Sequence, residues 1–254
     1  MKRLSDAAEP GPAGLKRAPA PHAPTATVED YLALLYVFER DGQPTIATRL
    51  AEQIGVSLPT VLATVKRMVR DGWASVDKKK EIHLTSAGRN MAASVLRRHY
   101  LVELLLCKLL DVPWSRIHQE AHALEHAISD ETLERLQGKL GHPATCPHGN
   151  PLPGQEKAVS HWTRLDELSA GDAGVIKRIH ELAEDNRDLL VFLEANGLMP
   201  GAAFAVRDVL PFNQTMTLDV AGRPVVLGLP TAQWIFADAG AGRAKRPPSG
   251  RRRA

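Results

Sequence analysis

Four histidines and two glutamates at helical spacings fall within twenty-eight residues of this chain, on sequence otherwise rich in leucine, alanine and isoleucine. The stretch HYLVELLLCKLLDVPWSRIHQEAHALEH holds His99 and Glu103, then His118, His122, Glu125 and His126. An α-helix advances roughly 100° per residue, so His122, Glu125 and His126 point about 40°, −20° and 80° from His118. All four therefore share one helix face. His99 and Glu103 are four residues apart and share a face on the preceding helix. Burying so many uncompensated polar groups would cost several kcal/mol, so they need a common partner. Imidazoles and carboxylates converging from facing helices make a divalent-metal site. The bland alternative is a set of histidines satisfied inside a core. HALEH is not the H-E-x-x-H protease box, because no Glu follows its first His.

The length of 254 residues suits two domains with a small third. Apolar content of 44% against 24% charged is enough to build cores. No apolar run reaches membrane-spanning length and the N-terminus has no signal-peptide core, which predicts a soluble, cytoplasmic protein. The two cysteines, Cys107 and Cys146, form no C-x-x-C pair, which argues against a disulfide scaffold or a cysteine-based zinc finger. Cys107 lies among leucines and reads as core filler. The net charge of +3 permits a nucleic-acid partner without demanding one.

Residues 1–24 are Pro/Ala/Gly-rich and read as a disordered tail, and 239–254 as a basic disordered tail. Between them the expected units are a DNA-binding domain at 25–93, a helical metal-binding and dimerisation domain at 94–140, a Pro-rich linker at 141–164 and a small β-domain at 165–238. The β expectation rests on the alternating runs AAFAVRDV and MTLDVAGRPVVLGL, with Ala221-Gly222 near a hairpin turn.

The first unit reads as a winged helix-turn-helix. Thr27 opens a helix whose core face is Tyr31, Leu34, Leu35 and Phe38, ended by Asp41-Gly42. A second helix from Pro44 to Ile54 carries Ile46, Leu50, Ala51 and Ile54 inward, and Gly55 closes it. Ser57 caps a third helix with Pro59 in its first turn, packing Val61, Val65 and Met68. Helix, Gly-containing turn and capped helix make the DNA-reading arrangement. Trp73–Val76 and Ile82–Leu84 form the wing, with Lys78, Lys79 and Lys80 at its tip to meet phosphates. Ser57, Pro59, Thr60, Ala63 and Thr64 are placed to enter the major groove, with Lys66 and Arg67 reaching phosphates. Such small side chains lean on thymine methyls and DNA shape.

Several of these stretches resemble the diphtheria-toxin-repressor and manganese-transport-regulator family of metal-dependent transcriptional regulators. VEDYLALLYVFERDG is similar to the family's first helix, LAEQIGVSLPTVLATVKRMVRDGW to its DNA-reading pair, and HLTSAGRNMA to the exit from its wing. RRHYLVELLL and RIHQEAHALEH are similar to its metal-bearing helices, and CPHGNPLPG to its Pro-rich linker. The resemblance implies a mainly α protein with a small β part: winged helix-turn-helix, helical metal-binding and dimerisation domain, and C-terminal SH3-like (FeoA-like) β-domain. It implies a primary site of Asp30, His122, Glu125 and His126 and a second of His99, Glu103 and His118. In the family the position of Asp30 is Met in iron-responsive members and Asp in manganese-responsive ones, and that of His122 is usually Cys or Glu. The SH3-like domain of some relatives donates further ligands, at positions roughly matching Asn186 and Leu189, with Glu184 and Asp185 nearby; Leu189 cannot ligate.

The donor set lacks thiolate and thioether and suits Mn(II) or Fe(II), with Mn(II) favoured, Fe(II) close behind and Zn(II) kept open by the extra imidazole. The expected function is a repressor, not an enzyme, that binds a palindromic operator on double-stranded DNA as a homodimer when metal-loaded and controls metal homeostasis genes. Two other classes remain to be weighed: a metal-independent winged-helix regulator of the MarR kind with structural histidines, and a metalloenzyme, for which no nucleophile elbow or phosphate loop is present.

Overall fold

The computed structural model describes residues 24–239, so both predicted tails lie outside the described residues apart from Pro24 and Ala239. The first helix, α1 (Ala26–Arg40), starts from an extended Thr25, two residues before the expected cap. It buries two faces rather than one. Val28, Tyr31, Leu32, Leu35 and Phe38 enter the core of the reading head, while Val37 joins a larger core formed with the rest of the chain. Leu34 is half-buried. This double burial makes α1 a shared wall between two parts of the molecule.

Helix α2 (Ala47–Ile54) begins later than Pro44 and sinks only Leu50 fully; Ile46, Ala51 and Ile54 are half-buried. Gly55 ends it in the left-handed region (φ 72°), where a Cβ would be strained. Ser57 caps α3 (Leu58–Arg70), accepting from the Thr60 amide at 3.4 Å, and Val61, Val65 and Met68 pack inward as expected. The wing is the antiparallel pair β1 (Ala74–Val76) and β2 (Ile82–Leu84). Asp77 Oδ1 accepts from the amides of Lys79 and Glu81 at 2.8 and 2.9 Å, fixing the turn that carries the lysines.

Thr85 then caps α4 (Ser86–Leu109), accepting from the Gly88 amide at 3.1 Å. At 1.5 Å per residue this helix is roughly 36 Å long. The expected boundary at residues 93–94 falls inside it, so one rigid rod leaves the wing and carries His99 and Glu103. The segment after it is not one helix. A short 3-10 turn (Trp114–Arg116) leads into α5 (Ile117–Leu124), which tightens into a 3-10 turn at Glu125–Ala127 before α6 (Asp130–Lys139) starts from Ser129. Residues 117–139 are therefore two helices with a break at Ile128–Ser129.

The Pro-rich segment is not a loose tether. Cys146, His148, Asn150 and Leu152 are buried. Its strands close on each other (Leu152 amide to Ala144 carbonyl, Cys146 amide to Asn150 carbonyl, both 2.9 Å), and its tip docks on the C-terminal sheet. The Ile179 amide donates to the His148 carbonyl at 2.8 Å. Gly149 makes that docking feasible: at φ 89° an added Cβ would stand 1.9 Å from the Lys177 carbonyl oxygen. Prolines read as breakers here fix a tight loop whose backbone pairs with itself and with β4, where the Asn150 side chain also donates to the Ile179 carbonyl.

The remaining chain forms a six-stranded antiparallel sheet in the order β3-β8-β4-β5-β6-β7: β3 (Thr163–Arg164), β4 (Ala173–Ile179), β5 (Ala203–Leu210), β6 (Thr215–Val220), β7 (Arg223–Gly228) and β8 (Ile235–Asp238). Helices α7 (Glu181–Glu184) and α8 (Arg187–Ala195) connect β4 to β5. The alternating runs give Phe204, Val206, Met216, Leu218, Val225 and Leu227 to the core. Ala221 (φ 51°) and Gly222 (φ 80°) make the β6–β7 hairpin as expected. Among the described residues no helix is long and apolar enough to cross a membrane.

Candidate metal centre and nucleic-acid interface

Four elements meet around a cavity of 520 Å³: α1 with Asp30, α4 with His99, α5 with His118 and His122, and α7 with Glu184, followed by Asp185. Two donor groups converge there. In one, His99 Nδ1 lies 2.7 Å from Glu125 Oε2, and His122 Nδ1 lies 3.2 Å from Glu125 Oε1. In the other, His99 Nε2 lies 3.2 Å from Glu103 Oε1 and 3.1 Å from His118 Nδ1, which is 2.9 Å from Glu184 Oε2. The His118 Nε2 edge meets Asp185 Oδ1 at 3.3 Å.

This differs from the expected partition in several ways. His99 belongs to both groups, one ring nitrogen facing each, and not to the second alone. His118 and Glu125 point inward, but His122 is 61% exposed at its side chain and His126 37%. The helix tightens to 3-10 geometry at Glu125, so the wheel drawn for a regular helix no longer applies. His126 Nδ1 meets Glu29 at 3.3 Å and its Nε2 meets Glu125 at 3.4 Å. Asp30 stands at the rim of the cavity, outside the tightest grouping. Burial raises its carboxyl, and Glu125 adds to this against the pull of His122 and His126.

Of the positions that the resemblance matched to ligands of the SH3-like domain, neither Asn186 nor Leu189 reaches the cluster. Asn186 is spent on capping α8, accepting from the Leu189 amide at 3.1 Å, and Leu189 packs on the core. The carboxylates that reach the site are Glu184 and Asp185, one short helix earlier, because β4 ends at Ile179 and α7 turns directly toward α5. A further group was not foreseen: Glu103, Cys146 and His148 converge, all buried. Its signal in the sequence was the C-P-H of the Pro-rich segment, which reads as linker until the docking on β4 is known. Trp114 braces it, its ring tilted against the His148 ring with centroids 4.5 Å apart and its Nε1 donating to the Pro147 carbonyl.

The donors fit a cation. Glu103 Oε2 and both ring nitrogens of His148 are buried and make no hydrogen bond. His148 Nδ1 is 3.3 Å from Glu103 Oε1 and 3.6 Å from Glu184 Oε1, close enough for charge but poorly aligned for a proton. The carboxylates Glu103, Glu125 and Glu184 are packed together away from water, and the imidazoles respond. Burial alone would lower the His99 pKa, yet Glu103 and Glu125 raise it to about 9. Burial likewise opposes the charge on His118, and Asp185, Glu103 and Glu184 lift its pKa well above the usual value. Burial would raise Glu103, but His148, His118 and His99 hold it well below the carboxylate range. Burial and the neighbouring carboxylates push the Cys146 thiol up. The site thus calls for positive charge, which hard oxygen and imidazole donors also supply a place for.

On the DNA side, Lys78, Lys79 and Lys80 are exposed at the wing tip, and Ser57, Pro59, Thr60, Ala63 and Lys66 are exposed on α3. Thr64 is not: it is 8% exposed and faces the core with Val61 and Val65, so it is removed from the reading surface. Arg67 is half-buried, with its Nε enclosed. Leu58, Leu62 and Val69 are exposed on the same helix and were not singled out in the sequence.

Comparisons with known proteins agree with this architecture. The iron-dependent repressor N-terminal DNA-binding domain matches residues 24–82, the iron-dependent repressor metal-binding and dimerisation domain matches 85–154, and the FeoA domain matches 163–239. The iron-dependent repressor IdeR of Mycobacterium leprae is 35% identical over 76% of this chain and 92% of its own length. IdeR of Mycobacterium tuberculosis is 36% identical with the same coverage. A manganese-dependent transcriptional repressor in complex with manganese superposes with a TM-score of 0.73 at 29% identity, covering 84% of this chain and 99% of its own. ScaR with bound Zn2+ gives 0.70 at 32% identity, with 83% and 98% covered. Winged reading head, buried imidazole–carboxylate cluster and FeoA-type sheet occur here in one order on one chain, and the chain belongs to the iron-dependent repressor family of metal-dependent transcriptional repressors.

Proposed function

We propose that this repressor is switched by Mn(II), with Fe(II) the next best fit and Zn(II) a competitor, and that it acts in the cytoplasm as a homodimer on palindromic operators of metal-uptake genes. The observation that carries the reading is the cavity shared by α1, α4, α5 and α7, where Asp30 of the reading head faces donors from two other parts of the chain. Asp30, His99, His122, Glu125 and His126 would hold one ion, and Glu103, His118, Glu184 and Asp185 a second, with Cys146 and His148 adjoining it. A divalent ion supplies the positive charge that these carboxylates share. Asp30 ties α1 to α5, Glu184 ties α7 to α4, and Glu125 is oriented by His99. Ligands drawn from several elements favour the one arrangement in which those elements face each other, as a population shift requires. Leu109, Leu110 and Leu124, all exposed at the ends of α4 and α5, offer apolar surface to a second copy. A twofold pair sets two α3 helices about one DNA turn apart.

The test is fluorescence anisotropy on a labelled palindromic duplex at fixed salt, with and without Mn(II). Tight binding only with metal is expected, and Asp30→Ala should weaken the metal response with the fold intact. Operator affinity indifferent to Mn(II) and Fe(II) would overturn the reading.

A further inference from the structure

A second cavity, of 510 Å³, lies at the C-terminal end of α1. Its walls come from the end of α1 and α2, from the connection 156–164, and from β4 and β8 of the C-terminal sheet. The wall between the two cavities is an ion pair: Arg40 lines this one and its partner Glu181 lines the metal cavity.

Five cations face this space, Arg40, Arg49, Lys157, Arg164 and Arg178, against the carboxylates of Asp41 and Glu156. Arg40 and Arg178 are neutralised by Asp41 and Glu181, and Arg164 by Asp166. Glu156 is held back by the Tyr36 hydroxyl at 2.5 Å and the Gly154 amide at 2.9 Å. Arg49 and Lys157 have no carboxylate partner among the described residues; Arg49 meets only the Gln43 amide oxygen and the Phe38 ring. The apolar part of the lining is flat and aromatic. Trp162, Trp234 and Phe236 face the cavity, and neither indole N–H has a partner among the described residues. Unspent guanidinium, ammonium and indole donors beside aromatic faces recognise an oxyanion carried on a planar ring. The volume lies within the roughly 300–1,000 Å³ of small-molecule sites.

We propose that this cavity binds a small organic anion in which a phosphate or carboxylate is attached to a planar ring, the anion meeting Arg49 and Lys157 and the ring lying against Trp162 and Trp234. The ligand touches the reading head on one side and the C-terminal sheet on the other, so its binding favours the arrangement in which these two walls face each other.

The assay is tryptophan fluorescence of the full chain in excess chelator, which removes metal as an alternative phosphate ligand. Of the four tryptophans, two line the cavity, while Trp73 and Trp114 are buried elsewhere. AMP, benzoate and inorganic phosphate are titrated at constant ionic strength. A saturable change with AMP or benzoate is expected, at least tenfold tighter than with inorganic phosphate, and whichever ring-bearing probe binds identifies the oxyanion. Lys157→Glu, an exposed position, should weaken it at least tenfold without moving the thermal midpoint, and Trp162→Phe should reduce the amplitude. No saturable change with any probe, equal affinity for ringless phosphate, or an unaltered response in Lys157→Glu overturns the proposal.

Discussion

Replacing Glu181 by Gln tests what holds the C-terminal sheet to the reading head. Glu181 Oε1 sits 2.6 Å from Arg40 Nη1, and Oε2 sits 2.8 Å from Arg178 Nη2. The Tyr100 hydroxyl donates to Oε1 at 2.6 Å. The Arg40 and Arg178 side chains are 5% and 4% exposed, so their charges cannot turn to water. Glu181→Gln keeps the shape but leaves two buried guanidiniums to share Asp41. Breaking a buried ion pair from one side costs about 3–5 kcal/mol. For a chain of this size each kcal/mol lowers the melting temperature by roughly 2–4 °C, which gives a fall of about 6–20 °C. The pH dependence checks the cause. Burial would raise the Glu181 carboxyl, but Arg40 and Arg178 hold it far below its ordinary value of 4.5. Burial would also raise Asp41, and His180, Arg40 and Arg178 hold it low. A depressed folded pKa contributes stability that is complete above 4.5 and is lost as pH falls through the folded value. The gap between wild type and Glu181→Gln should therefore be constant near neutrality and close by about 1.4 kcal/mol per pH unit in acid. Denaturant unfolding of both proteins in excess chelator across this range reads it directly. A loss below about 1 kcal/mol, or a gap that ignores acid, would refute the assignment.

Glu103→Gln removes a carboxylate that faces His99, His118 and His148 at once, and calorimetry should show Mn(II) affinity reduced at least tenfold with helical circular dichroism retained. Gly149→Ala places a methyl against the Lys177 carbonyl and should lift the Pro-rich loop from β4, lowering the thermal midpoint and metal affinity together. Replacing Lys78, Lys79 and Lys80 by Ala should flatten the slope of log affinity against log salt by about 0.9 for each lysine that meets a phosphate, with operator preference unchanged.

Local signals account for most of what the sequence disclosed. Ser57, Gly55 and the Ala221-Gly222 turn act within a few residues of themselves, and each does in the fold what its chemistry dictates. The grouping of His99, Glu103, His118, His122 and Glu125 was legible for the same reason, since helical spacing is a local property. What failed was set at long range. Thr64 has a surface residue's chemistry, but α3 rolls it against the core. Cys146 and His148 acquire their setting only because Gly149 lets the loop lie on β4, twenty-eight residues further along. Glu184 and Asp185 are ordinary acidic residues until α7 is folded back over α5, and Asn186 was drawn away by a local duty, capping a helix.

The double orientation of the His99 ring limits how the protein can fill. A neutral imidazole has a single lone pair, and its other nitrogen carries a hydrogen. When Nδ1 is the donor atom on the Glu125 side, Nε2 is obliged to offer its hydrogen to Glu103; when Nε2 is the donor atom, the hydrogen faces Glu125. One tautomer offers a lone pair to one pocket and presents an N–H donor to the other, so on the proposed reading the two occupancies are coupled through a proton that moves across a five-membered ring.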